Sequence, residues 1–123
     1  MEVLLDTNFI ISCVRKNIDF IFELEGMGFK VILPNEVFEE MKDLKKRPGT
    51  SHDDRNAIKV AFEMFERQKI KKATIGSGKV DDMLIKKGAS GYYIATLDAG
   101  IKGKVPNRVI INDAAKRVEV ERD

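Results

Sequence analysis

The sequence predicts an α/β fold in which a mainly parallel sheet of about five strands lies between two layers of helices, a three-layer α/β/α sandwich. Three features carry that expectation. Short apolar runs recur along the chain, helical patterns fill the intervals between them, and no internal repeat or low-complexity tract breaks the alternation. Strands that alternate with helices pair in parallel through crossovers, and both faces of such a sheet need a helical cover. At 123 residues the chain has the length of one domain, spanning 1–123.

Five buried strands are expected, at Val3–Leu5, Val31–Leu33, Ala73–Ile75, Tyr92–Thr96 and Val109–Ile111. Phe9–Val14 and Phe20–Met27 read as helices following the first strand. Pro34–Lys45 is a third helix: proline in a first turn sacrifices no hydrogen bond, and Val37, Phe38, Met41 and Leu44 point inward. The stretch from Lys45 to His52, rich in turn formers and basic residues, reads as the longest loop. Asp54–Gln68 is the clearest helix, with Ile58, Ala61, Phe62 and Phe65 at i, i+3, i+4 and i+7. A further helix opens around Asp81.

Hydrophobic residues make up 43% and charged residues 34%, a globular balance rather than a disordered one. The net charge of +2 and the pI near 8.6 are mildly basic, so charge alone suggests nucleic acid only weakly. Cys13 and His52 are each the sole residue of their type. That excludes a disulfide framework, a thiolate zinc site and a histidine metal site, and a reducing, cytoplasmic location is expected. The first apolar run is broken by Asp6, so it fits neither a signal peptide nor a membrane span.

In open parallel sheets, ligands bind beyond the carboxyl ends of the strands. Asp6 directly follows Val3-Leu4-Leu5, and Asp98 follows Tyr92 to Leu97, so both carboxylates stand at such ends. Each alone reads equally well as a helix cap. The larger pattern separates the readings. Leu4-Leu5-Asp6-Thr7-Asn8, Pro34-x-x-Val37-x-x-Glu40-Met41, Val80-Asp81-Asp82-Met83-Leu84 and Ala95-Thr96-Leu97-Asp98 together resemble the PIN-domain ribonucleases in order and approximate spacing, over almost the whole chain. The resemblance implies an α/β/α ribonuclease using Mg²⁺ or Mn²⁺, similar to toxin–antitoxin toxins and ribosomal-RNA processing factors. It implies Asp6, Glu40, Asp81 and Asp98 as the catalytic, metal-holding carboxylates.

Charge chemistry agrees. Carboxylates crowded into one crevice raise one another's pKa unless a cation lies between them, and oxygen-only ligands favour a hard ion such as Mg²⁺ or Mn²⁺. Such an ion suits phosphodiester hydrolysis without a histidine base. Among the acids of its helix, Glu40 alone borders the buried face, about 90° from the core direction, whereas Glu36, Glu39 and Asp43 lie about 130° or more away. A helix beginning at Asp81 points that residue along its inward face and turns Asp82 about 100° aside, toward the helix N-terminus or a bound water. The motif carries an Asp pair here, and a helix beginning one residue later would alter the choice.

Asn8 and Thr96 are candidates for orienting a carboxylate or a water, with local turn or cap bonding as the competing role. Lys102, Lys104 and Arg108 follow Asp98 and are the best-placed basic residues for RNA phosphates; Lys45, Lys46 and Arg47 come second. Gly76-Ser77-Gly78-Lys79-Val80 lacks the first Gly and the final Ser or Thr of a phosphate loop, with Ala73 and Val80 in their places. Asp6-Thr7-Asn8 lacks the second acid of an Asp-x-Asp phosphotransferase. Expected partners are thus an RNA substrate, a second copy of the chain in a homodimer, and an antitoxin or an RNA-processing complex. The alternative function is a catalytically weak RNA-binding or assembly module within such a complex.

Overall fold

The computed structural model describes residues 1–123. Its sheet comprises β1 (Glu2–Leu5), β2 (Lys30–Pro34), β3 (Lys71–Ala73), β4 (Tyr93–Ala95), β5 (Asn107–Asn112) and β6 (Arg117–Arg122). The spatial order is β3-β2-β1-β4-β5-β6, parallel throughout except that β6 returns antiparallel to β5. The helices are α1 (Thr7–Arg15), α2 (Phe20–Gly26), α3 (Asn35–Lys46), α4 (His52–Arg67), α5 (Val80–Ala89) and the single turn α6 (Ala99–Lys102).

Side-chain alternation along the strands divides the core in two. Val3 and Leu5 of β1, Val31 and Leu33 of β2, and Tyr93 and Ala95 of β4 share the larger cluster with Phe9, Phe20, Leu24, Val37, Met41 and Ile58 from α1–α4. Leu4, Ile32 and Ile94, mutually in register, point the other way and meet Leu84 of α5, Ile101 of α6, Ile75 and Val105. Burying one such side chain contributes roughly 1.5–3 kcal/mol, and a one-residue slip of β1 would exchange the two faces. The smaller layer is tight: a methyl group added at Gly88 of α5 would come within 2.5 Å of Val105 Cγ1.

The expected architecture holds, with four adjustments. The sheet has a sixth strand that a search for continuous apolar runs passes over. In Arg117–Arg122 only alternate residues are apolar, and Val118 is buried while its neighbours are not. The third strand is Lys71–Ala73 rather than Ala73–Ile75, because the Ile75 amide is taken by the Glu36 carboxylate instead of a strand partner. The long loop contracts, since α3 continues through Lys46 and His52 already begins α4 behind a Ser51 cap that accepts from Asp54 N at 3.1 Å. Pro34 ends β2 and precedes α3 rather than lying within it.

From β1 the chain builds β2 and β3 on one side and, after returning, β4, β5 and β6 on the other. The order therefore reverses between β1 and β4. At such a switch point the helices leaving adjacent strands diverge and open a crevice beyond the carboxyl ends.

Candidate functional site

Asp6 stands at that switch point, where β1 turns into α1. Its amide donates to Ala95 O at 3.0 Å, continuing the β1–β4 ladder one step past the strand. Its carboxylate is held on both oxygens: Oδ1 accepts from Thr7 N at 2.9 Å and Oδ2 from Thr96 Oγ1 at 2.8 Å. The residue is only 7% exposed, and no cation pairs with it. Burial pushes its pKa above the ordinary carboxylate value. The bonds from Thr96 and Thr7 oppose that rise, and the charges of Glu40 and Asp81 add to it.

Thr96 is fully buried just past β4, and it serves two acids at once. Its hydroxyl donates to Asp6 and accepts from Asp98 N at 3.1 Å. The Asp98 side chain goes elsewhere: Oδ1 accepts from Gly100 N at 2.7 Å and Ile101 N at 3.2 Å, capping α6. Asp98 is exposed, and its other oxygen makes no hydrogen bond. Glu40 reaches the crevice from α3, where its Oε1 accepts from Thr7 Oγ1. Asp81 and Asp82 are both exposed in the first turn of α5, which begins at Val80, so Asp81 does not project inward as expected; its charge nevertheless bears on Asp6, and that of Asp82 does not.

The fold thus gathers Asp6, Glu40, Asp81 and the backbone of Asp98 at one end of the sheet. They are not drawn into a closed cage, and nowhere do three Asp, Glu, His or Cys side chains converge tightly enough to hold an ion. The physical reason lies in the bonds just described. Like charges repel, and Thr96, Thr7 and the α6 amides each hold one acid in its own position. The donor set nevertheless fits a hard divalent cation, since it is all oxygen and includes a desolvated carboxylate that two neighbouring acids make costly to ionise.

Two contributors escaped the sequence reading. Thr7, rather than Asn8, joins the acids: Thr7 is buried against Glu40, while Asn8 is exposed in an open groove beside Ser12, Arg15 and Asp54. Its position next to a strand-end Asp was the available signal. Glu36, one turn before Glu40, accepts from Ile75 N at 3.1 Å and Gly76 N at 3.3 Å, and Asn35 Nδ2 donates to Thr74 Oγ1 at 3.0 Å. Helix α3 therefore bears one acid of the crevice and also anchors the loop that leads into α5 and Asp81.

Among the basic residues expected to meet RNA, Lys104 is exposed and Lys102 half-buried beside Asp98, and Lys45, Lys46 and Arg47 are exposed at the end of α3. Arg108 is otherwise engaged. Its guanidinium pairs with Glu121 at 3.0 Å and Asp123 at 3.3 Å and donates to Val105 O at 2.9 Å, which binds β5 to the end of β6. Cys13 is buried, and its thiol pKa is pushed up to about 12, which leaves it a packing group.

A family model described as a PIN like domain matches residues 3–112. Among solved structures the chain is similar to one described as the PIN domain endonuclease Utp24, with 18% sequence identity, a TM-score of 0.74 and coverage of 99% of this chain and 92% of that one. It is also similar to a domain of a functionally unknown protein from Methanocaldococcus jannaschii DSM 2661, with 18% identity, a TM-score of 0.54 and coverage of 90% and 91%. No curated protein sequence matches it.

Proposed function

The chain belongs to the PIN-like domain family, and from that premise we propose that it is a divalent-metal-dependent ribonuclease acting on single-stranded or loop RNA. The observation that carries this reading is Asp6: a carboxylate buried at the switch point, without a cation, and further burdened by the charges of Glu40 and Asp81. Burying an unpaired acid costs stability, and groups that carry such a cost cluster at functional sites.

In this reading Asp6, Glu40, Asp81 and Asp98 would hold Mg²⁺ or Mn²⁺. When bound, such a cation lowers the barrier to attack of water on a phosphodiester and balances the charge that develops on the leaving oxygen. The residues of the chain do the positioning. Thr96 fixes the Asp6 carboxylate and the Asp98 backbone with one hydroxyl, and Thr7 aims Glu40. Lys102 and Lys104 supply charge for phosphates flanking the cleaved bond.

The second reading, a binding or assembly module with weak catalysis, draws on the lack of a converged triad. Metal titration separates the two. The nuclease reading expects RNA cleavage with Mn²⁺ or Mg²⁺, abolished by EDTA and poorly supported by zinc. Undiminished cleavage in excess EDTA would sink the metal mechanism, and RNA binding without Mn²⁺ uptake would favour the module. Asp81→Asn should lower kcat at saturating Mn²⁺ more than Asp82→Asn; each tenfold loss corresponds to about 1.4 kcal/mol.

We propose the cytoplasm as its location. No helix is long and apolar enough to cross a membrane. A homodimer and an antitoxin or processing partner remain part of the proposal, the first testable by sedimentation mass.

A further inference from the structure

Two basic runs far apart in the sequence meet on the side of α3 that faces away from the acids. Lys42 and Lys45 project from α3, and Lys69 and Lys72 come from the turn into β3 and from β3 itself. Between them lies an open groove of about 370 Å³ lined by Phe38, Phe62, Phe65 and Ile70. The Phe38 and Phe62 rings are tilted 51° to each other with centroids 5.0 Å apart. Lys72 Nζ sits 3.9 Å and Lys42 Nζ 5.1 Å from the Phe38 centroid, and Lys45 Nζ lies 5.8 Å from that of Phe62.

A ring positions an ammonium without neutralising it, unlike a carboxylate. Lys45, Lys69 and Lys72 form no ion pair; Lys42 alone does, with Glu39 at 2.8 Å. Glu66 is the one acid lining the groove. The result is a positive rim around an apolar floor in which the half-buried rings of Phe38 and Phe62 are tilted to each other, at the edge of the sheet. Its complement is a chain that alternates anionic groups with planar apolar ones, which describes a nucleic-acid strand with unpaired bases. An acidic peptide would satisfy the lysines but leave the aromatic floor without a planar counterpart.

We infer that this groove is a second binding surface for single-stranded RNA, taking a part of the strand remote from the acid crevice. The occupant's identity rests on the nuclease reading above. Phe38 and Glu40 are two residues apart, about 200° around α3, so groove and crevice lie on opposite sides of a helix roughly 10–12 Å across. The lysine run at 69–72, which the crevice leaves unused, acquires a role here.

The test is fluorescence anisotropy of a labelled twenty-nucleotide oligouridine in EDTA, over a range of salt, so that binding is read without cleavage. The Lys69→Ala/Lys72→Ala double variant should bind about tenfold more weakly, with a salt slope shallower by about 1.4, the contribution of two phosphate contacts to a single strand. Phe62→Leu, with its fold verified by circular dichroism, should weaken binding while leaving the salt slope unchanged, since it removes a stacking surface and no charge. Unchanged affinity and slope in the lysine variant would overturn the groove even if the wild type cleaves RNA with Mn²⁺. Groove-dependent binding by a protein that never cleaves would keep the groove and overturn the nuclease reading. Lysine-dependent binding of polyglutamate with RNA affinity unmoved would assign the groove to an acidic protein partner instead.

Discussion

The carboxyl ends of β1 and β4 are adjacent, and each is followed within a few residues by an aspartate, yet the two acids occupy opposite physical states. Asp6 is buried, and its pKa is raised. Asp98 is exposed and spends one oxygen on two amides of α6. One threonine separates these outcomes: Thr96 extends β4 by a buried residue, turns its hydroxyl to Asp6 and uses the same oxygen to receive the Asp98 amide. The same local pattern, an acid after an apolar strand, thus yields one residue that costs stability and one that contributes it. Capping and function are not exclusive either, for Asp6 also caps α1 through Thr7 N.

The sharpest contrast should appear in activity. Asp6→Asn is expected to abolish metal-dependent cleavage while raising the melting temperature in EDTA, because it removes a buried charge without opening a cavity. Asp98→Asn should lose less activity and leave stability nearly unchanged, since asparagine caps as well as aspartate. Equal loss of folding in both variants would erase the distinction drawn between the two strand ends.

Thr96→Val probes the link itself. It preserves the side-chain shape but withdraws one donor from Asp6 and one acceptor from the Asp98 amide. Mn²⁺ affinity measured by calorimetry should fall about 10–100-fold, and the metal-free protein should lose about 1–3 kcal/mol in denaturant unfolding. Unaltered metal affinity would reduce Thr96 to a structural residue. Asp98→Ala, which deletes the α6 cap, should cost about 1 kcal/mol in the same measurement.

The smallest expected effect is in pH dependence. Asp6 holds its proton more tightly in the folded chain than in the unfolded one, so its ionised form disfavours folding at neutral pH. As pH falls through the raised folded value toward the ordinary 3.8, that penalty is relieved. The stability advantage of Asp6→Asn over wild type in EDTA should therefore be greatest near neutrality and shrink on acidification. An advantage that grows as pH falls would contradict the burial argument.

The periodicities of the sequence determined most of the architecture. Runs such as Val3–Leu5 and Val31–Leu33, separated by helical stripes, leave a parallel sheet with two covered faces as the way to bury them. The rotation of α3 placed Glu40 nearer the core direction than its three neighbouring acids, yet in the fold Glu36 is the half-buried one and Glu40 is exposed, because the loop before α5 folds over Glu36. Tertiary structure decided the remainder, since those outcomes depend on partners distant in the chain. Ile75 leaves the third strand because Glu36, 39 residues earlier, takes its amide. Arg108 pairs with Glu121 and Asp123, which β6 brings back beside β5. Thr7 rather than Asn8 meets Glu40, 33 residues away, because α1 packs with its first residue beneath α3. Composition and spacing fix what a residue can do; which hydrogen-bond partner satisfies it is settled only when non-adjacent segments compete for the same buried group.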